Sequence, residues 1–178
     1  MELYLIRHTT PEVTQGICYG QSDVPLAESF AAEWEALRGG LPPGITCVYT
    51  SPLSRCRRLA ERIAAHYAVP LHDDDRLREL DFGRWEMQPW DAIPEPELGA
   101  WMNDYVHAAC PGGESYTGLM GRVASFVEFL RARAPGRTVV VTHAGVIRSC
   151  YAVLRGLTPE AAMAQPVAYG EVHFFGEV

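Results

Sequence analysis

Two apolar runs in this chain each end on a histidine, and no other feature restricts the possible fold as much. Near the start, Leu3-Tyr4-Leu5-Ile6 stops at Arg7-His8; much later, Thr138-Val139-Val140-Val141-Thr142 stops at His143-Ala144-Gly145. Neither run alternates apolar with polar residues, so each reads as a strand buried on both faces, the pattern of parallel strands covered by helices. In an open α/β sheet, ligands gather at the carboxyl ends of the strands. Alone, Arg7-His8 reads more readily as an ordinary strand end than as a site. A second histidine in the same setting, with arginines nearby, reverses that weighting.

The segments between these runs supply the helices such a sheet needs. Leu26 to Arg38 carries Phe30, Trp34 and Leu37 at helical spacing, Ile45 to Thr50 is a second short strand, and Ser51-Pro52 reads as the start of a helix running to Tyr67. Arg55 falls in the first turn of that helix, where a cation opposes the macrodipole unless an anion sits there too. Asp73-Asp74-Asp75 reads as a solvated loop, because adjacent carboxylates do not converge on one ion. Around Glu79, the stretch Leu77 to Met87 sets acids among aromatics, the surroundings a general acid needs. Residues 86–112 read as a helical, lid-like excursion rich in tryptophan and proline. Ser115 to Arg133 reads as a helix, an apolar helix starts at Val146, and Val167 to Val178 adds a last strand at one side of the sheet. With no repeat or linker, residues 1–178 are expected to form one domain.

Composition narrows the chemistry. The net charge is -7 and lysine is absent, so anion recognition rests on arginine, histidine and backbone N–H groups. An acidic chain without a basic stripe is not expected to bind nucleic acid. Five scattered cysteines without a C-x-x-C pair favour neither a disulfide framework nor structural zinc and suit a reducing, cytoplasmic setting. No signal-like or membrane-spanning run is present, so no membrane partner is expected.

Four separated pieces, Leu5-Ile6-Arg7-His8-Thr9, Ser51-Pro52-Leu53-Ser54-Arg55, Leu77-Arg78-Glu79 with Phe82-Gly83-Arg84-Trp85-Glu86, and Val141-Thr142-His143-Ala144-Gly145, together resemble the histidine phosphatase superfamily, the phosphoglycerate mutase-like proteins. The resemblance implies a three-layer α/β/α sandwich with a mostly parallel central sheet and a phosphomonoester hydrolase working through phosphohistidine. It implies catalytic His8 and Glu79, as nucleophile and proton donor, and a phosphate held by Arg7, Arg55 and His143. No metal or other cofactor is implied, since the arginines take its place; the partner implied is a small phosphorylated metabolite. Tyr19, Gln21 and Ala144 are candidate substrate contacts. Phe82 to Met87 and Pro111 to Ser115 are most similar to the α-ribazole phosphatases, which makes α-ribazole 5'-phosphate the first expected substrate. A mutase, a broad-specificity phosphatase and a non-catalytic phospholigand-binding protein are the alternatives. The last is motivated by Thr9, which stands where the family usually has glycine and which tolerates positive φ poorly.

Overall fold

The computed structural model describes residues 1–133 and 136–178. Its elements are, in chain order, β1 (Glu2–Arg7), β2 (Ile17–Cys18), α1 (Phe30–Arg38), β3 (Ile45–Thr50), α2 (Ser54–Tyr67), β4 (Leu71–Asp73), β5 (Gln88–Pro89), α3 (Glu95–Asn103), α4 (Tyr116–Arg131), β6 (Arg137–Thr142), α5 (Ala144–Arg155), α6 (Pro159–Met163) and β7 (Val172–Glu177). Five strands form the central sheet in the order β4-β3-β6-β1-β7. Only β7, at one edge, runs antiparallel, against β1. The expected mostly parallel α/β architecture is the one observed.

Continuous apolar strands make sense once both faces of the sheet are covered. Leu3, Leu5 and Val140 point into a core closed by Leu119 and Val123 of α4 and Ile147 of α5. Ile6, Val139 and Val141 point the other way, into a core closed by Trp34 of α1 and by Leu59 and Ile63 of α2. At about 25 cal/mol per Å² of apolar surface removed from water, each fully buried leucine or isoleucine contributes on the order of 2 kcal/mol, so two such layers leave the strands no freedom to slip. Among the described residues, no helix is long and apolar enough to cross a membrane.

Register places the site. In the parallel pairing of β1 with β6, Arg7 stands opposite Thr142, so the next residues, His8 and His143, leave the sheet side by side. The His8 amide donates to the Thr142 carbonyl and the Ser51 amide to that of Val141, so three strand ends are tied together at one edge.

Several boundaries differ from the sequence reading, and the last strand covers only Val172–Glu177 of the expected Val167 to Val178. Helix α1 begins at Phe30, because Leu26 is held in an isolated bridge with Pro11. Helix α2 begins at Ser54 and not at Ser51; its cap, Leu53, offers no side-chain bond, and the Ser51 hydroxyl is engaged by His143 instead. Helix α5 begins at Ala144, directly after the histidine. The loop Pro11 to Pro25 is not wholly irregular, since β2 pairs with β5 of the excursion.

The excursion carries its own small core of Cys18, Trp85, Ile93 and Cys110. Trp85, Trp90 and Trp101 pack on one another, with ring centroids 5.7 to 6.5 Å apart. These aromatics therefore hold the excursion together. Three consecutive aspartates, the last residue of β4 and the two that follow it, each meet a separate arginine: Asp73 with Arg57, Asp74 with Arg76 and Asp75 with Arg78.

Candidate active site

His8 lies one residue beyond β1 and only 1% of its surface is exposed. Its Nδ1 is 2.7 Å from the Thr9 carbonyl oxygen. A carbonyl only accepts, so Nδ1 carries the hydrogen and Nε2 keeps its lone pair. Burial, then the positive charge of Arg55 and of Arg7, pushes the His8 pKa down to about 3, against the pull of the Thr9 carbonyl. The ring is therefore a neutral imidazole at physiological pH, with a defined tautomer, as a nitrogen nucleophile requires.

His143, fully buried at the end of β6, stands 5.2 Å from His8 between ring centroids. Its Nε2 is 2.8 Å from the Ser51 hydroxyl and 3.4 Å from the Cys56 sulfur. Burial and the neighbouring positive charges hold its pKa well below the usual histidine value, while burial drives the Cys56 thiol upward and keeps it protonated. Ser51 and Cys56 thus fix the second imidazole from the side of α2.

Two guanidinium groups complete this cluster. Arg55 is fully buried, and its terminal nitrogens donate to the carbonyls of Gly20 and Ser22 at 2.6 and 2.7 Å. Arg7 donates to the Val167 carbonyl at 2.7 Å and lies 3.8 Å from the centroid of the Tyr169 ring. Among the described residues, neither arginine has a carboxylate within ion-pair distance, and the Nε atom of each is buried without a partner. A buried charged donor left unmatched costs several kcal/mol, so an anion that reached these two donors would offset that cost.

Glu79 is held at the rim. Its carboxylate accepts from the amides of Leu80 at 2.9 Å and Gly145 at 3.2 Å. A Cβ at position 145 would collide with that carboxylate, so glycine there is what lets the acid approach the start of α5. The strand of chain carrying Glu79 is clasped by Arg122, which donates to the carbonyls of Arg76, Arg78 and Glu79 and to the Glu114 carboxylate.

Gln21 donates its side-chain amide to the Glu79 carbonyl at 3.0 Å, and Tyr19 faces Arg55 at 5.2 Å. Ala144 is buried in the core at the first turn of α5. Thr9 is fully buried and its φ is not positive, so the conformation it adopts is open to a β-branched residue. The strain expected at that position is absent.

Four side chains with a part in this arrangement were given no site role by the sequence: Ser51, Glu86, Arg122 and Tyr169. Glu86 accepts from the amides of Gln21, Ser22 and Phe82 and from the Ser22 hydroxyl, so it shapes the loop whose carbonyls hold Arg55. Its place in the Trp85-Glu86 pair was visible; its work was not.

Residues 3–175 match the sequence profile described as the histidine phosphatase superfamily, branch 1. The chain belongs to that family. It is 35% identical over 157 residues to a Klebsiella pneumoniae protein named "probable phosphoglycerate mutase", covering 84% of this chain and 72% of that one. The α-ribazole phosphatase of Shigella flexneri superposes with a TM-score of 0.86 at 27% identity, covering 98% of this chain and 89% of that one. A mycobacterial glucosyl-3-phosphoglycerate phosphatase shares the fold, with a TM-score of 0.85 at 23% identity over 97% of this chain and 88% of that one. Proteins of this fold are named for three different reactions, so the leaving group is decided by details of the site and not by the architecture.

Proposed function

We propose that this histidine phosphatase is a metal-independent phosphomonoester hydrolase that passes the phosphoryl group through His8, with α-ribazole 5'-phosphate as its substrate. We also infer that residues 1–178 act as one domain, since the central sheet takes strands from both ends of the chain. The observation that carries the reading is a pair of arginines, Arg55 buried and Arg7 half-buried, each with a buried Nε that has no partner among the described residues, beside two neutral buried imidazoles.

In the first step, Nε2 of His8 attacks phosphorus as the bond to the ester oxygen breaks, and Glu79 gives its proton to the departing alkoxide. In the second, water attacks the phosphohistidine, Glu79 takes a proton from that water, and the P–N bond breaks to release inorganic phosphate. Arg7, Arg55 and His143 hold the equatorial oxygens throughout. Phosphoryl transfer asks little more than an in-line attacker and positive charge spread around the transferring group, which two guanidinium groups supply.

Resemblance to the Shigella enzyme supports the nucleoside phosphate; the Klebsiella relative supports a second reading, phosphoglycerate mutase. Steady-state kcat/KM across phosphomonoesters, including α-ribazole 5'-phosphate and 3-phosphoglycerate, in the presence of a chelator, separates them. The hydrolase reading expects inorganic phosphate as product and α-ribazole 5'-phosphate as the best substrate. Conversion of 3-phosphoglycerate to a phosphorylated isomer without phosphate release would overturn it.

A further inference from the structure

The loop between α6 and β7 reaches back over the site. Arg7 donates to the Val167 carbonyl, and the Gly170 amide lies 3.2 Å from the Arg7 carbonyl oxygen and 3.3 Å from that of His8, so this loop is fastened to the backbone of the candidate nucleophile itself. Tyr169, held between those two attachments, stacks over the Arg7 guanidinium, and its ring centroid is 5.5 Å from that of His8. Its hydroxyl meets the Tyr19 hydroxyl at 3.0 Å, and the Tyr19 ring in turn faces Arg55. The two tyrosines form an arch, one foot on each arginine.

Beside this arch lies a cavity of about 370 Å³, walled by both tyrosines and by the loop that follows His8. Val13 and Ile17 give it an apolar side, Thr14 and Gln15 a neutral polar one, and among the described residues that line it none is charged. Its size falls in the range of small-molecule pockets. A carboxylate entering such a pocket would lose its hydration without gaining a cation, whereas a flat uncharged group would gain an aromatic wall.

We propose that Tyr169 is a specificity-determining residue that, with Tyr19, gives the phosphate site a leaving-group pocket for uncharged, aromatic-faced alcohols and against carboxylate-bearing ones. The proposal rests on the hydrolase reading above and narrows it to a substrate class. The Tyr169 ring forms the wall shared by phosphoryl site and pocket, so it meets the leaving group next to the bond that breaks.

The test compares kcat/KM for phenyl phosphate and for 3-phosphoglycerate hydrolysis in the unaltered protein and in Tyr169→Phe, Tyr169→Ala and Thr14→Arg. The unaltered protein is expected to favour phenyl phosphate by more than about tenfold, and Tyr169→Phe, which keeps the ring, to retain that preference. Tyr169→Ala is expected to lower the ratio on the order of tenfold, chiefly through a higher KM for phenyl phosphate. Thr14 is exposed, so Thr14→Arg leaves the fold intact; it puts a cation in the pocket and is expected to raise kcat/KM for 3-phosphoglycerate relative to that for phenyl phosphate. Turnover with a ratio that neither Tyr169→Ala nor Thr14→Arg moves overturns the proposal while leaving the hydrolase reading intact. No turnover and no phosphohistidine in the unaltered protein overturns both.

Discussion

The two halves of the proposed site, one for phosphate and one for the leaving group, are built in opposite ways. The phosphate half stands on strand ends and a helix start, is mostly buried, and gathers two cations, without a carboxylate partner among the described residues, around two neutral imidazoles. The leaving-group half is built from two loops, is open enough that Tyr169 is 39% exposed, and is lined without charge. Rigid elements hold the part that every substrate shares, and loops hold the part by which substrates differ. Substitutions in the first half should therefore cost activity toward all esters, and substitutions in the second should alter the choice among them.

Glu79→Gln gives the largest expected effect that still leaves measurable turnover. General acid catalysis contributes about 10² to 10⁴-fold, and the loss should be greater for alkyl phosphates than for p-nitrophenyl phosphate, whose leaving group needs no proton. Equal losses for both would mean that Glu79 does not protonate the leaving oxygen.

Arg55→Met follows. Removing one preorganised donor costs about 10² to 10³-fold in kcat, and the factor should be the same for phenyl, nucleoside and sugar phosphates. Binding stabilises the folded state by mass action, so inorganic phosphate should raise the Tm of the unaltered protein and not of this variant. A change in substrate ranking would break the division between the two halves.

Gly145→Ala is expected to act through Glu79, because the new methyl group occupies the place of the carboxylate. A fall in kcat on the order of tenfold with KM little changed is the expected outcome. Unchanged kcat would show that the acid works from another position.

The smallest effect concerns stability. The folded-state pKa of His8, about 3, lies below its ordinary 6.5, so between these values the unfolded chain binds a proton that the folded chain does not. Stability is then lost as pH falls from about 6.5 toward 3, and His143 adds in the same direction. His8→Gln should flatten this part of the pH dependence, with a Tm difference of a few degrees between pH 7 and pH 5 that is smaller in the variant. An identical pH profile would contradict the neutral assignment.

How much could be read beforehand follows the same division. His8 and His143 were visible because each ends a run of residues that only a doubly covered strand tolerates, and adjacent parallel strands then bring them together. Arg55 was visible as a cation placed against a helix dipole. Ser51 misled, since serine before proline is a good helix start; here tertiary packing claimed its hydroxyl for His143, and the first amide of α2, at Ser54, donates to the Asp23 carboxylate instead. Thr9 misled as well, because a glycine in relatives need not mean a positive φ in this chain. Tyr169 and Glu86 could not be found from spacing at all. Their roles depend on where loops fold back, Tyr169 reaching His8 from the far side of the sheet edge and Glu86 gathering amides from a loop more than sixty positions earlier in the chain.

Rapid quench with a ³²P-labelled phosphomonoester addresses the central claim most directly. An acid-labile, base-stable label reaching about one equivalent per chain, mapping to the peptide that contains His8 and absent from His8→Ala together with turnover, is the predicted result. Steady hydrolysis by His8→Ala, or turnover of the unaltered protein without any labelled histidine, would contradict it.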